Sequence, residues 1–145
     1  METTVSSVTT NSFNMAIPSR TDNLGIIREF ITSIARRFGF NDDAIGEIEL
    51  AVDEACANVI KHAYKYDESK NIDITVETNG SKFTIIISDE GEGFDPDRLE
   101  TPQQRLQKHA RGGLGIALIK RMMDEVVFDI HPGEKNRVKM IKYVS

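Results

Sequence analysis

NIDITVETNGSKFTIIISDEGEGFDP, residues 71–96, contains two kinds of sequence. In the first, Ile72, Ile74 and Val76 alternate with Asn71, Asp73, Thr75 and Glu77, and beyond Asn79-Gly80 the alternation resumes at Phe83, Ile85 and Ile87. A two-residue period broken by Asn-Gly predicts a β-hairpin with one buried face. In the second, the apolar run empties into Asp89, Glu90, Glu92 and Asp95, with Gly91 and Gly93 between them. The function turns on what that acidic glycine turn can hold.

On the N-terminal side of the hairpin the period is helical. Leu24, Ile27, Ile31, Ile34 and Phe38 predict an amphipathic helix over residues 22–39, with Asp22 as N-cap and Gly39 as stop. A longer helix is expected over 42–65, capped by Asn41, with Asp42 and Asp43 in its first turn and Ile45, Ile48, Val52, Ala55, Val59 and Ala63 on its apolar face. On the C-terminal side, DPDRLETPQQRLQKHAR (95–111) is polar and lacks an apolar face, and is expected to be a mobile segment. Gly112, Gly113 and Gly115 open a third helix that runs to Met123, and two strands are expected at 125–130 and 137–143. Residues 13–18 supply one more edge strand, and residues 1–12 read as a mobile tail ahead of a single domain spanning 13–145. Helices segregated from the strands predict an α+β two-layer sandwich, with a mostly antiparallel mixed sheet and three main helices.

Composition narrows the function classes. The 145 residues carry a net charge of −5, without a Lys/Arg block or a basic stripe, so direct binding to nucleic acid is not expected. No apolar run approaches bilayer length and no secretory leader is apparent, which predicts a soluble, cytoplasmic protein without a membrane partner. Cys56, the one cysteine, falls on an apolar helical position and is expected in the core.

A phosphate would be repelled by the acids of the 89–95 turn unless a metal intervened. A calcium loop counted from Asp89 would need oxygen ligands where Gly91 and Gly93 stand, and glycine where Phe94 stands. What remains is either an ordinary hydrophilic turn or a site for a flat, neutral ligand. In such a site a base amino group would donate to Asp89, while Gly91 and Gly93 let the backbone come close. Gly112, Gly113 and Gly115 open a helix whose unpaired N–H groups suit phosphate, with Arg105, Lys108 and Arg111 just before them. In ELAVDEACANVIKHAY (49–64), Glu54 and Asn58 are four residues apart and so lie about 40° apart around the helix. Spacing alone makes them a surface pair, whereas chemistry allows a general base and a Mg²⁺ ligand.

In this order, Glu54-x-x-x-Asn58, Asp89-x-Gly91-x-Gly93 and Gly113-x-Gly115 resemble the N box and the two glycine boxes of the GHKL ATPase superfamily. GGLGIALIKRMMDEVVF (112–128) is similar to its anti-sigma factor serine/threonine-protein kinases. The resemblance covers roughly residues 15–143 and implies the Bergerat, histidine-kinase-like ATPase fold, with ATP beneath a lid at 95–111. It further implies Mg²⁺ on Asn58, Glu54 as catalytic base and Asp89 reading the adenine amino group. Gly91, Gly93, Gly112, Gly113, Leu114 and Gly115 would shape the nucleotide pocket, with Arg111 near the γ-phosphate. The implied partners are an anti-anti-sigma factor with a STAS domain, as phospho-acceptor, and a sigma factor; homodimers are common in the family. Many superfamily members open the last strand with Gly-Thr or Gly-Ser, whereas Asn136-Arg137-Val138 stands here, which leaves open what replaces a hydroxyl expected to help bind the base.

His62, His109 and His131 are assigned no catalytic role. Two alternatives stand beside the kinase: a nucleotide-gated binding module without phosphoryl transfer, and a stand-alone catalytic domain of the histidine-kinase type.

Overall fold

The computed structural model describes residues 10–93 and 115–145. The expected lid at 95–111 lies outside them, as do Arg105, Lys108, Arg111, Gly112, Gly113 and Leu114. The described elements run β1 (Thr10–Pro18), a 3₁₀ turn (Thr21–Asn23), α1 (Leu24–Phe38), α2 (Asp42–Asn58), a π turn (Val59–Ala63), β2 (Asn71–Asn79), β3 (Lys82–Asp89), α3 (Gly115–Met122), β4 (Glu125–Asp129) and β5 (Asn136–Tyr143). Strand β1 begins at Thr10, so residues 10–12 pair with β2 and do not belong to a tail.

The strands form one sheet in the order β1-β2-β3-β5-β4. All four described pairings are antiparallel, which corrects the expectation of a mixed sheet. In the hairpin Asn79 pairs with Lys82, so the two turn residues are Gly80 and Ser81, one step later than Asn79-Gly80. Gly80 has φ 62°, the left-handed conformation that glycine supplies at the first central position of such a turn. The alternating residues Ile72, Ile74, Val76, Phe83, Ile85 and Ile87 are all buried on the helix-facing side. Each is worth about 1.5–3 kcal/mol of burial, and a one-residue slip would turn the whole set to the other face.

The helices cover that face. Ile27, Ile31 and Ala35 of α1 and Ile45, Ile48, Val52, Ala55 and Cys56 of α2 complete the core, and burial pushes the Cys56 thiol pKa well up. Phe83 sits edge-on to Phe40, with ring centroids 5.3 Å apart. Gly39 stops α1 as expected, with φ 116° and its N–H on the carbonyls of Ala35 and Arg36. Asp22 does not cap it: the Asp22 carboxylate is held by Arg20 at 2.8 and 2.9 Å, and Asn23 takes the N-cap place without a side-chain cap bond. Asn41 does cap α2, its Oδ1 accepting from the Ala44 N–H at 2.9 Å.

The expected continuous helix to residue 65 changes character at Asn58. Tyr64 N–H reaches back five residues to the Val59 carbonyl, and Lys65 and Tyr66 then adopt φ of 50° and 66°. This widened turn brings the Ala63 carbonyl to the acidic glycine turn, where Glu92 N–H donates to it at 3.0 Å. Pi turns of this kind are frequent at functional sites.

Candidate functional site

Four elements converge at the C-terminal end of β3. Asp89 is its last residue, and Asn136, the first of β5, is its register partner. Asn58 ends α2 above them, and α3 opens at Gly115.

Asp89 is 3% exposed and lies at a pocket walled by Ala55, Val59, Ile87, Phe128, Ile130 and Val138, with Asn58 and Arg137 as further polar members. The space, including its open mouth, is about 260 Å³. Two donors converge on Asp89 Oδ1: the Gly91 N–H at 2.9 Å and Asn136 Nδ2 at 2.9 Å. Burial raises the Asp89 pKa above the ordinary carboxylate range; the Asn136 and Gly91 bonds oppose that rise, and the charge of Glu90 adds to it. The result is a desolvated acceptor facing apolar walls, suited to an amino group on a flat ring.

The turn that follows requires its glycines. A Cβ on Gly91 would overlap the Ala63 carbonyl, and one on Gly93, at φ 76°, would stand 2.8 Å from Ile130 Cγ2 and 3.2 Å from Asn136 Oδ1. Tyr64 supports the turn from beneath: its hydroxyl donates to the Asn71 carbonyl at 2.6 Å and accepts from the Glu90 N–H at 3.0 Å.

Glu54 and Asn58 are not the surface pair that spacing alone suggests. Asn58 is buried and Glu54 half-buried, because α3 covers their face of α2. Gly115, where α3 opens, lies against both: a Cβ there would be 3.6 Å from Glu54 Oε2 and 3.7 Å from Asn58 Oδ1, ordinary van der Waals contact. Asn58 Nδ2 is buried without a hydrogen-bond partner, one of two such side-chain atoms among the described residues. An orphaned amide of this kind calls for a missing partner. The neighbouring Asp53 is turned the other way and bound by Arg28 at 3.2 Å through both oxygens, so of the two adjacent acids Glu54 faces α3.

Sequence reasoning missed two supporting residues, Tyr64 and Lys142, and left the role of a third, Asn136, open. Tyr64 resembles any other helix-end aromatic. Lys142 alternates into the helix-facing side of β5, where its Nζ donates to the Met122 carbonyl at 2.6 Å and pairs with Glu47 at 2.9 Å, tying α3 to α2. Asn136 was visible only as a departure from pattern; it is 1% exposed, and its amide bridges Asp89, the Gly91 carbonyl and the His131 N–H. His131 lies in the turn before β5, its ring 2.8 Å from Asp129.

The histidine kinase-like ATPase domain family matches residues 17–142. The serine-protein kinase RsbW of Bacillus subtilis is 34% identical over 137 residues, which cover 90% of this chain and 84% of that protein. The chain belongs to the histidine kinase-like ATPase family, in its serine-protein kinase branch. Another member of that branch, RsbW of Oceanobacillus iheyensis, is 31% identical over 90% of this chain and 85% of its own length. The histidine kinase-like ATPase fold recurs in the RsbU and RsbW domains of a Mycobacterium tuberculosis protein, with a TM-score of 0.66 at 14% identity over 92% of this chain and 32% of that one. It recurs again in the SiaB–SiaC complex of Pseudomonas aeruginosa, with a TM-score of 0.65 at 12% identity over 89% of this chain and 88% of that one. Among the described residues no helix is long and apolar enough to cross a membrane.

Proposed function

We propose that this protein is an ATP-dependent serine/threonine-protein kinase that phosphorylates an anti-anti-sigma partner of the STAS type and sequesters a sigma factor when that partner is phosphorylated. The observation that carries the reading is the buried, partnerless amide of Asn58 beside Glu54, across one pocket from the desolvated carboxylate of Asp89.

In this reading Asp89 accepts from the adenine amino group and the apolar walls sandwich the base. Asn58 fits a Mg²⁺–triphosphate, since its Oδ1 can ligate the ion while its Nδ2 gains a phosphate oxygen. No cluster of three or more His, Cys, Asp or Glu side chains able to cage a metal occurs among the described residues, which suits an ion held by one amide, phosphates and water. When bound, Mg²⁺ supplies charge neutralisation on the triphosphate. Arg111, Gly112, Gly113 and Leu114 are assigned to the phosphates by their place just before the N-terminus of α3.

Glu54 orients the partner's hydroxyl and takes its proton as the new bond to the γ-phosphorus forms and the bond to the bridging oxygen of ADP breaks. Sigma-factor sequestration places the protein in the cytoplasm, and a homodimer belongs to the same reading.

The test is to incubate the protein with labelled ATP and a serine-bearing STAS partner and to locate the phosphate. Phosphoserine or phosphothreonine on the partner supports the kinase. Phosphohistidine would move the protein to the histidine-kinase type, and binding without transfer would leave a nucleotide-gated module.

A further inference from the structure

Asn136 makes more bonds at the base end of the pocket than a hydroxyl could. Its Nδ2 donates to Asp89 Oδ1 at 2.9 Å and to the Gly91 carbonyl at 3.1 Å, while its Oδ1 accepts from the His131 N–H at 2.7 Å. These partners determine the orientation of the amide: turned over, its NH₂ would face the His131 N–H and its oxygen would face a carboxylate. Gly93 leaves room for it, since a Cβ there would crowd Asn136 Oδ1. A serine or threonine hydroxyl has one proton to give, so it can serve Asp89 or the Gly91 carbonyl, but not both.

We infer that Asn136 sets base selectivity: its amide occupies Asp89 Oδ1 and thereby fixes the carboxylate as an acceptor for a purine amino group. This rests on the reading of the pocket as a nucleotide site. Adenine presents an amino group where guanine presents a carbonyl oxygen, so an ionised Asp89 welcomes the first and repels the second. A protonated Asp89 would offer a donor and lose that discrimination. Burial favours the protonated form, and of the bonds that oppose it Asn136 contributes the foremost. The other titratable or charged groups around Asp89 are Glu90 on its own turn, Tyr64 from the π turn, Arg137 from β5, and Glu54 one helical turn before Asn58 on α2. His131 meets the cluster through its backbone, its ring being engaged with Asp129. Asn136 is therefore a positioning residue acting through Asp89.

The experiment measures affinities for Mg·ATP and Mg·GTP between about pH 6 and 8, in wild type, Asn136→Val and Asn136→Thr. The triphosphate titrates alike in both nucleotides, so their affinity ratio isolates the base. Wild type should prefer ATP by a ratio that stays constant with pH. Asn136→Val should lose about tenfold of that ratio as pH falls towards 6, the scale of a hydrogen bond to a charged group, and Asn136→Thr, which keeps one donor, should hold the ratio near wild type. A merely structural role would weaken both nucleotides equally at every pH. If Asn136→Val keeps the wild-type ratio throughout, or Val and Thr behave alike, the inference is overturned while the nucleotide site stands. Should circular dichroism show Asn136→Val unfolded, Asn136→Asp has the native shape and is read the same way, its drop expected at higher pH because two carboxyls then share one proton. Wild type that bound neither nucleotide would overturn the site itself and this inference with it.

Discussion

Gly91 and Ala63 meet backbone to backbone: the place a Cβ would take on Gly91 overlaps the Ala63 carbonyl, and that same oxygen accepts from the Glu92 N–H at 3.0 Å. The π turn at the end of α2 is thus the floor on which the acidic glycine turn rests. Gly91→Ala must separate the two segments. It should lower the melting midpoint by about 5 °C or more, an effect of roughly 2–3 kcal/mol, and weaken nucleotide binding. Calorimetry on the variant checks both.

Glu54→Gln keeps the shape and half-burial of the side chain but removes the base. Phosphoryl transfer should fall by about 10²–10⁴-fold, while the affinity for Mg·ATP stays close to wild type. Single-turnover kinetics beside a binding titration separates the two effects, and unchanged transfer would remove Glu54 from the chemistry.

Asn58 carries its unpartnered amide at a stability cost that binding would relieve. Asn58→Ala should therefore leave the melting midpoint without nucleotide unchanged or slightly higher, and abolish the extra affinity that Mg²⁺ gives ATP. Titrations with and without the ion decide it: equal gains from Mg²⁺ in both proteins would contradict the metal assignment.

Asp89 makes a prediction with a definite sign. Its folded-state pKa lies above the ordinary 3.8, chiefly through burial, so its ionisation opposes folding. The stability it contributes is fully present below 3.8 and is lost as pH rises through the raised folded value. Asp89→Asn keeps the acceptor for Gly91 and Asn136, so it should melt higher than wild type at neutral pH, with the gap closing as the solution is acidified. The same variant should lose ATP binding, because an amide NH₂ can face the base where an acceptor is needed. Melting curves across pH, without nucleotide, read the sign directly.

How much of this was legible in the sequence depends on the length scale of the signal. The hairpin was readable because Ile72 to Ile87 alternate over many residues, and Asn41 and Gly39 carry local cap chemistry. The turn was misplaced by one residue, because Asn79-Gly80 suggests a different turn type from the one with Gly80 at its first central position. Asp22 looked like a cap but is captured by Arg20, a competition between side chains that spacing does not encode. Burial of Asn58 required knowing that α3, which opens at Gly115 far along the chain, packs on that face. The roles of Tyr64, Lys142 and Asn136 are long-range contacts without a periodic trace; only the departure at Asn136 marked its position.

The account rests on the pocket between Asp89 and Asn58 being a nucleotide site, and a melting curve with Mg·ATP tests that most directly. At about a hundred times its dissociation constant the ligand contributes roughly 2.7 kcal/mol, which for a chain of this size predicts a rise of about 5–10 °C in the wild-type midpoint and none in Asp89→Asn. A wild-type midpoint unmoved at millimolar Mg·ATP, or an equal rise in the variant, would contradict it.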